Sequence, residues 1–168
     1  MAKMMLTFRA ADEADLADVE AIENASFSPP WSGAALLRRI DGGDTEFIAA
    51  DESGWVVGFA FAGVSGDEAE LLQIAVSEAS RGRGVASELL SWTIMKLRHR
   101  GVRRLFLEVR RSNEAALALY GKLGFSRTGT RRGYYDAPAE DAVVMSLEVS
   151  PFAGGGSAPG EMQRGDRL

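Results

Sequence analysis

The sequence predicts an α/β (mixed α+β) single domain, with a mixed, mostly antiparallel sheet flanked by helices on both faces. Three observations carry this expectation. Residues 46–76 contain three apolar runs at regular spacing with turn residues between them, the pattern of an antiparallel meander. After Val76 the pattern changes to helix, strand, helix and two further strands. A chain of 168 residues with 46% hydrophobic side chains is ordinary for one soluble domain with a single core. That domain is expected at residues 1–150. The Gly-rich, polar stretch 151–168 has no apolar periodicity and reads as a disordered tail.

Taken in order, Met4 to Phe8 reads as an opening strand. Asp12 is placed to cap a helix whose apolar positions Leu16, Val19 and Ile22 fall at helical spacing. Ser28-Pro29-Pro30-Trp31 breaks that helix, and Ser32 caps a short second one containing Leu36, Leu37 and Ile40. Strands follow at Glu46 to Ala50, Trp55 to Val64 and Ala69 to Val76. Their turns lie at Glu52-Ser53-Gly54 and Gly66-Asp67-Glu68. Ala86, Leu89, Leu90, Thr93, Ile94 and Leu97 form a helical stripe that stops at Gly101. Arg104 to Val109 is a strand. Asn113 then caps a helix with Ala116, Leu117, Tyr120 and Leu123 on its inner face and Gly124 at its end. Ser126 to Tyr134 and Ala142 to Leu147 are the last two strands.

Several functions are disfavoured by composition. No stretch approaches the ~20 apolar residues that span a bilayer, so no membrane partner is expected. Met1 to Phe8 lacks the apolar run of a secretory signal, which points to the cytoplasm. The absence of cysteine removes thiolate metal sites and any cysteine nucleophile, and no metal is expected. His99, the sole histidine, sits in the basic cluster Lys96 to Arg100 before Gly101. This is the pattern of a cationic helix C-terminus rather than of a catalytic triad. A net charge of -5 argues against nucleic acid and is compatible with a basic peptide partner.

One segment has the makings of an anion site. The apolar run Leu71 to Val76 leads through a short loop into Arg81-Gly82-Arg83-Gly84-Val85-Ala86 and then a helix. Glycines let a backbone curl with positive φ and approach a ligand closely. N–H groups at a helix start, helped by the dipole, converge on an anion such as a pyrophosphate. Either Arg81 or Arg83 is available for a charge-assisted contact. The motif is neither a Walker A loop nor the dinucleotide Gly-x-Gly-x-x-Gly, and taken alone it equally fits a plain strand-to-helix turn.

The wider set of blocks is more specific. Arg81-x-x-Gly84-x-Ala86 after Ile74-Ala75-Val76 resembles the acetyl-CoA signature of the GNAT superfamily. Leu107 to Ala116, Leu119 to Phe125, Arg131 to Tyr135 and Glu140-Asp141-Ala142 follow it in order. Together they resemble bacterial ribosomal-protein-alanine N-acetyltransferases of the RimI type, over about residues 5–148. The resemblance implies the GNAT fold and acetyl-CoA as cosubstrate. Its pantetheine arm would lie along Ile74, Ala75 and Val76, and its pyrophosphate on Arg81, Gly82, Arg83, Gly84, Val85, Ala86 and Ser87. Asn113 matches the asparagine that touches the cofactor, a role compatible with helix capping.

The resemblance also implies catalytic roles. Glu108 matches the proton acceptor. It interrupts the apolar strand Leu105 to Val109, and alternation places it on the side of Phe106. An exposed strand glutamate paired with an arginine is the other reading. Tyr120 matches the proton donor to the departing thiolate, whereas its spacing alone fits a core tyrosine. Tyr134 and Tyr135 match a substrate-holding pair, with strand alternation sending one toward the cleft and the other away. Phe27 and Trp31 fall in the loop that forms the other substrate wall in this family. Without cysteine, direct attack of a bound amine on the thioester is the expected route.

Arg81 and Ala86 stand where Gln and Gly are frequent in the family, and Gly133 stands where a polar residue precedes the tyrosine pair. The family's nominal substrate is the N-terminal alanine of a small-subunit ribosomal protein. Two other readings share many of these residues: a GNAT enzyme acting on a small-molecule amine, and a non-catalytic acyl-CoA-binding module.

Overall fold

The computed structural model of the chain describes residues 5–151. Residues 1–4 lie outside them, as do residues 152–168, nearly all of the stretch read as a tail. Strand β1 (Leu6–Ala10) leads into helix α1 (Leu16–Ser26) through a 3₁₀ turn at Glu13–Asp15. Asp12 accepts from the Ala14 N–H at 2.8 Å, and the Asp15 carboxylate accepts back from the Asp12 N–H at 2.8 Å, a reciprocal capping box. Helix α2 (Gly33–Ile40) is capped by Ser32, which accepts from the Ala35 N–H at 3.2 Å.

Strands β2 (Thr45–Glu52), β3 (Trp55–Ser65) and β4 (Glu68–Val76) then form the expected meander, each pair antiparallel. Helix α3 (Val85–His99), strand β5 (Arg104–Arg110), helix α4 (Glu114–Lys122) and strands β6 (Ser126–Tyr135) and β7 (Glu140–Glu148) complete the order. The result is one seven-stranded sheet, ordered β1-β2-β3-β4-β5-β7-β6. Only β4 and β5 run parallel; they are joined by the α3 crossover.

Alternation along the strands feeds a core on each face. On one side Leu89, Leu90 and Leu97 of α3 and Tyr120 of α4 pack on Leu105, Leu107 and Val109 of β5. On the other, Val19 and Ile22 of α1 and Leu36 of α2 cover Phe47, Phe59 and Phe61. Helices on both faces match the expectation from the sequence.

One irregularity opens the sheet. Ala62 of β3 pairs with Leu71, but the preceding Phe61 pairs with Gln73, so Leu72 is an extra residue that bulges β4. Pairing between β4 and β5 covers only Glu68–Arg104, Ala69–Leu105 and Glu70–Phe106. It stops immediately before the bulge. From Leu71 and Leu107 onward the two strands are unpaired to each other, and a cleft separates them.

Candidate active site

The unpaired side of β4 faces this cleft with its backbone. The Ser77 N–H donates to Val57 O of β3 at 2.8 Å. Polar groups of a strand alternate in direction, so Ala75 also points to β3, while the N–H and C=O groups of Ile74 and Val76 point into the cleft. The Val76 side chain is buried in the core with Ile74 packed beside it, leaving the Ile74 peptide groups and the Val76 N–H as the polar surface on offer, since Val76 O accepts from Arg81.

Beyond Val76 lies the glycine turn. Gly82 has φ +75° and Gly84 φ +80°, the left-handed region that favours glycine. Gly84 caps α3 without any side-chain cap. The helix ladder starts with the Glu88 N–H on Gly84 O at 3.1 Å, so the N–H groups of Val85, Ala86 and Ser87 have no intrahelical acceptor. Open donors beside a groove of about 450 Å³ fit a pyrophosphate. Arg81 lines this groove while its Nε donates to Val76 O at 3.0 Å. The Arg83 guanidinium turns elsewhere, to a bidentate pair with the buried Glu52 of β2 at 2.6 and 3.1 Å. That pair staples the turn to the sheet.

The groove continues toward β5. A second cavity of about 350 Å³ shares Val76, Arg81, Ala86 and Leu119 with the first. It also shares Ile74, Asn113 and Tyr120 with a third, of about 540 Å³. This third cavity brings together Glu108, Asn113, Tyr120, Tyr135, Phe27 and Trp31, residues drawn from four parts of the chain. Asn113 caps α4, its Oδ1 accepting from the Ala116 N–H at 3.1 Å. Tyr120 is buried, its ring tilted against Phe125 at 5.7 Å, and burial followed by the influence of Tyr135 pushes its phenol up to about 12. It is thus a core residue and a cavity residue at once.

Glu108 is on the Phe106 side of β5, and both readings of it meet here. It lines the cavity, its side chain 9% exposed, and it is paired with Arg131 Nε of β6 at 2.6 Å. The Tyr134 hydroxyl also bonds to Glu108, and this bond is the first cause of a phenol pushed up to about 12. A second acid, Glu70 of β4, has its pKa raised by burial first and then by the Glu108 charge, with Arg131 opposing.

The expectation that Tyr134 and Tyr135 diverge is not met. Arg131 pairs with Ala142 and Tyr135 with Glu140, so two extra residues bulge out of β6. Gly133 sits in that bulge at φ +59°, its N–H on Asp141 Oδ1 at 2.9 Å. Alternation fails across such a bulge. The two rings meet edge to face at 5.0 Å, Tyr135 lining the cavity and Tyr134 reaching Glu108. Arg110 fixes this loop, its guanidinium 4.3 Å over Tyr135 and bonded to Asp136 O, Pro138 O and Glu140. Across the cleft, Trp31 stands edge-on to Phe61 at 5.5 Å with the Arg39 guanidinium 3.7 Å above it.

His99 is exposed in the last turn of α3, in the basic setting its neighbours indicated. Sequence reasoning did not single out Glu52, Arg110, Arg131, Glu23 or Gln73. The one local signal among them is Glu23, which shares the inward spacing of Val19 and Ile22 on α1. A cavity of about 530 Å³ beside α2, lined by Arg38, Arg39, Glu70, Leu72 and Phe106, includes neither Glu108 nor Tyr120. No helix among the described residues is long and apolar enough to cross a membrane.

Residues 16–125 match the model of the acetyltransferase (GNAT) family. The chain is 36% identical over 148 residues to the [ribosomal protein bS18]-alanine N-acetyltransferase of Escherichia coli strain K12, covering 87% of this chain and 99% of that one. To its Haemophilus ducreyi counterpart it is 37% identical over 129 residues, 75% of this chain and 88% of that one. The crystal structure of the ribosomal-protein-S18-alanine N-acetyltransferase from Escherichia coli superposes with a TM-score of 0.80 at 35% identity, over 92% of this chain and all of the other. A bulge-opened cleft with an anion-binding helix start at one end suits a long, phosphate-bearing acyl donor, and the chain belongs to the acetyltransferase (GNAT) family of N-acetyltransferases.

Proposed function

We propose that the chain transfers the acetyl group of acetyl-CoA to the N-terminal α-amine of a protein, with the N-terminal alanine of a small-subunit ribosomal protein as its substrate. One observation carries this reading. The groove that starts at the glycine turn ends in a cavity holding a carboxylate, a phenol and aromatic walls, the set that amine attack on a thioester needs. The substrate itself is carried over from the relatives of similar length.

In this reading the N–H groups of Val85, Ala86 and Ser87 hold the pyrophosphate, with Arg81 beside them, and the cleft-facing amides of Ile74 and Val76 pair with the pantetheine arm. A cleft-facing β4 N–H near Val76, at the end of the arm away from the turn, polarises the thioester carbonyl. The amine enters between Phe27 and Trp31 on one side and Tyr134 and Tyr135 on the other. Glu108 takes its proton, directly or through water, and Arg131 and Tyr134 orient that carboxylate. The C–S bond breaks as the C–N bond forms, and Tyr120 returns a proton to the sulfur.

An α-amine has a reference pKa of about 7.7–8.0 against about 10.4 for lysine. Near pH 7 its free-base fraction is a few hundred-fold larger, so a carboxylate base suffices for it. Glu108→Gln and Tyr120→Phe are expected to lower kcat on an Ala-initiated peptide by roughly 10²–10⁴ while acetyl-CoA binding is retained. Normal peptide turnover in both variants sinks the catalytic assignment. A panel of peptides and free amines checks the substrate class.

A further inference from the structure

Glu23, near the C-terminal end of α1, is fully buried, and the chemistry above gives it no part. Its Oε1 accepts the Trp31 N–H at 2.7 Å and the Gln73 Nε2 at 3.0 Å. Its Oε2 has no partner, nor have the buried Gln73 Oε1 and Ser26 Oγ. The orientation of the Gln73 amide follows. A carboxylate only accepts, so the NH₂ group faces Glu23 and Oε1 turns away from it. Ser26 lies three residues on from Glu23, on the same side of α1.

None of the ion pairs among the described residues includes Glu23. Arg39, stacked over Trp31, bonds Ala35 O at 3.1 Å instead. A buried carboxylate without a cation is destabilising. Its structural duties do not require an acid. A glutamine at this position would accept the same two bonds through Oε1 without bringing a charge into the core.

The place of the acid suggests what the charge is for. Ser26, Trp31 and Gln73 line the cavity that holds Glu108 and Tyr120. The Glu108 charge is matched by Arg131, whereas Glu23, behind Gln73, takes part in no ion pair among the described residues. We propose that Glu23 is a positioning residue whose charge draws the α-ammonium of the incoming substrate into the cavity and holds it there until a proton is lost. This rests on the reading of the cavity as the seat of a peptide α-amine.

The test compares two ligands on the CoA-bound full-length protein: an Ala-initiated peptide, and its desamino analogue in which hydrogen replaces the amine. Calorimetry at pH 7 gives the affinity ratio of the pair. Glu23→Gln is expected to cut the preference for the amine roughly fivefold or more. KM for acetyl-CoA should stay level and the melting temperature should hold or rise. If both peptides weaken by one factor, Glu23 only anchors the Trp31 loop. If neither changes, its charge is unused. Either result overturns the inference. Glu23→Asp keeps the charge and should keep a preference, so a folded Asp variant without one overturns it even if the Gln variant does not fold. A wild-type protein that acetylates small amines and no peptide sinks the peptide reading alone, and the same ratio measured with such an amine and its neutral analogue then decides on Glu23.

Discussion

Tyr120 keeps its proton because burial penalises the phenolate, and its phenol stands at about 12. In its proposed role it therefore remains able to donate while the substrate amine is largely free base. We expect kcat to stay level between pH 8 and about 10, the reference value of an unperturbed tyrosine. A falling limb in that range that Tyr120→Phe removes would contradict the assignment. The same shift bears on stability. A pKa raised in the folded state contributes stability that is complete below the ordinary value and is lost as pH rises through about 12. At this scale the sequence shows which face Glu108 occupies, because β5 alternates regularly. It does not show Arg131 beside it, since that neighbour comes from another strand. Glu23 is different: its inward helical position is visible in the sequence, but its missing counter-charge is not.

The glycine turn is a property of the strand-to-helix element rather than of its arginines. Gly84 holds φ +80° at the cap of α3, and a side chain there adds about 1–2 kcal/mol of strain. Gly84→Ala is expected to lose about that much stability and to raise KM for acetyl-CoA as the N–H groups lose alignment. Gly121 in α4 has ordinary helical backbone, and a Cβ there meets nothing within 4 Å. Gly121→Ala should gain up to about 1 kcal/mol. Thermal melts ranking the two variants in the opposite order would show that backbone conformation is not the constraint. The β6–β7 element is where strand periodicity misleads. Gly133 stands where the family often has a polar residue, and at φ +59° it occupies a conformation suited to glycine; the bulge around it brings Tyr135 to the cavity and Tyr134 to Glu108.

Across the molecule, charged links tie the start of α1 to the edge of the sheet. Arg9 of β1 bonds the buried Asp15 at the start of α1 and Asp51 of β2, at 2.8 and 3.0 Å. The Arg9 hydrogen bond is the main cause holding the Asp15 carboxyl below the usual range, against its desolvation. A depressed carboxyl contributes stability that is present above the ordinary value near 3.9 and lost as pH falls through the folded value. Asp15→Asn should therefore cost about 1–2 kcal/mol at pH 7. It should also flatten the loss of stability below about pH 4. Denaturant melts across pH 2–7 check both, and an unchanged acid slope would remove Asp15 from the account.

Local order was legible in the sequence: the capped helices, the meander, the change to helix and strand after Val76, and the glycine turn. Each depends on residues within a few positions of one another, whose spacing and backbone preferences act wherever the chain goes. The resemblance further tied Glu108, Tyr120 and Asn113 to acetyl transfer. Tertiary structure alone decided what those residues meet. The Leu72 bulge ends the β4–β5 pairing and makes the cleft, Glu52 takes Arg83 away from the groove, Arg131 neutralises Glu108, and Glu23 is left without a cation. Burial and charge pairing at these positions depend on strands and helices distant in sequence, so no local pattern encodes them. The glycine turn keeps its place at the head of the site, and the tertiary structure makes it one end of a continuous groove.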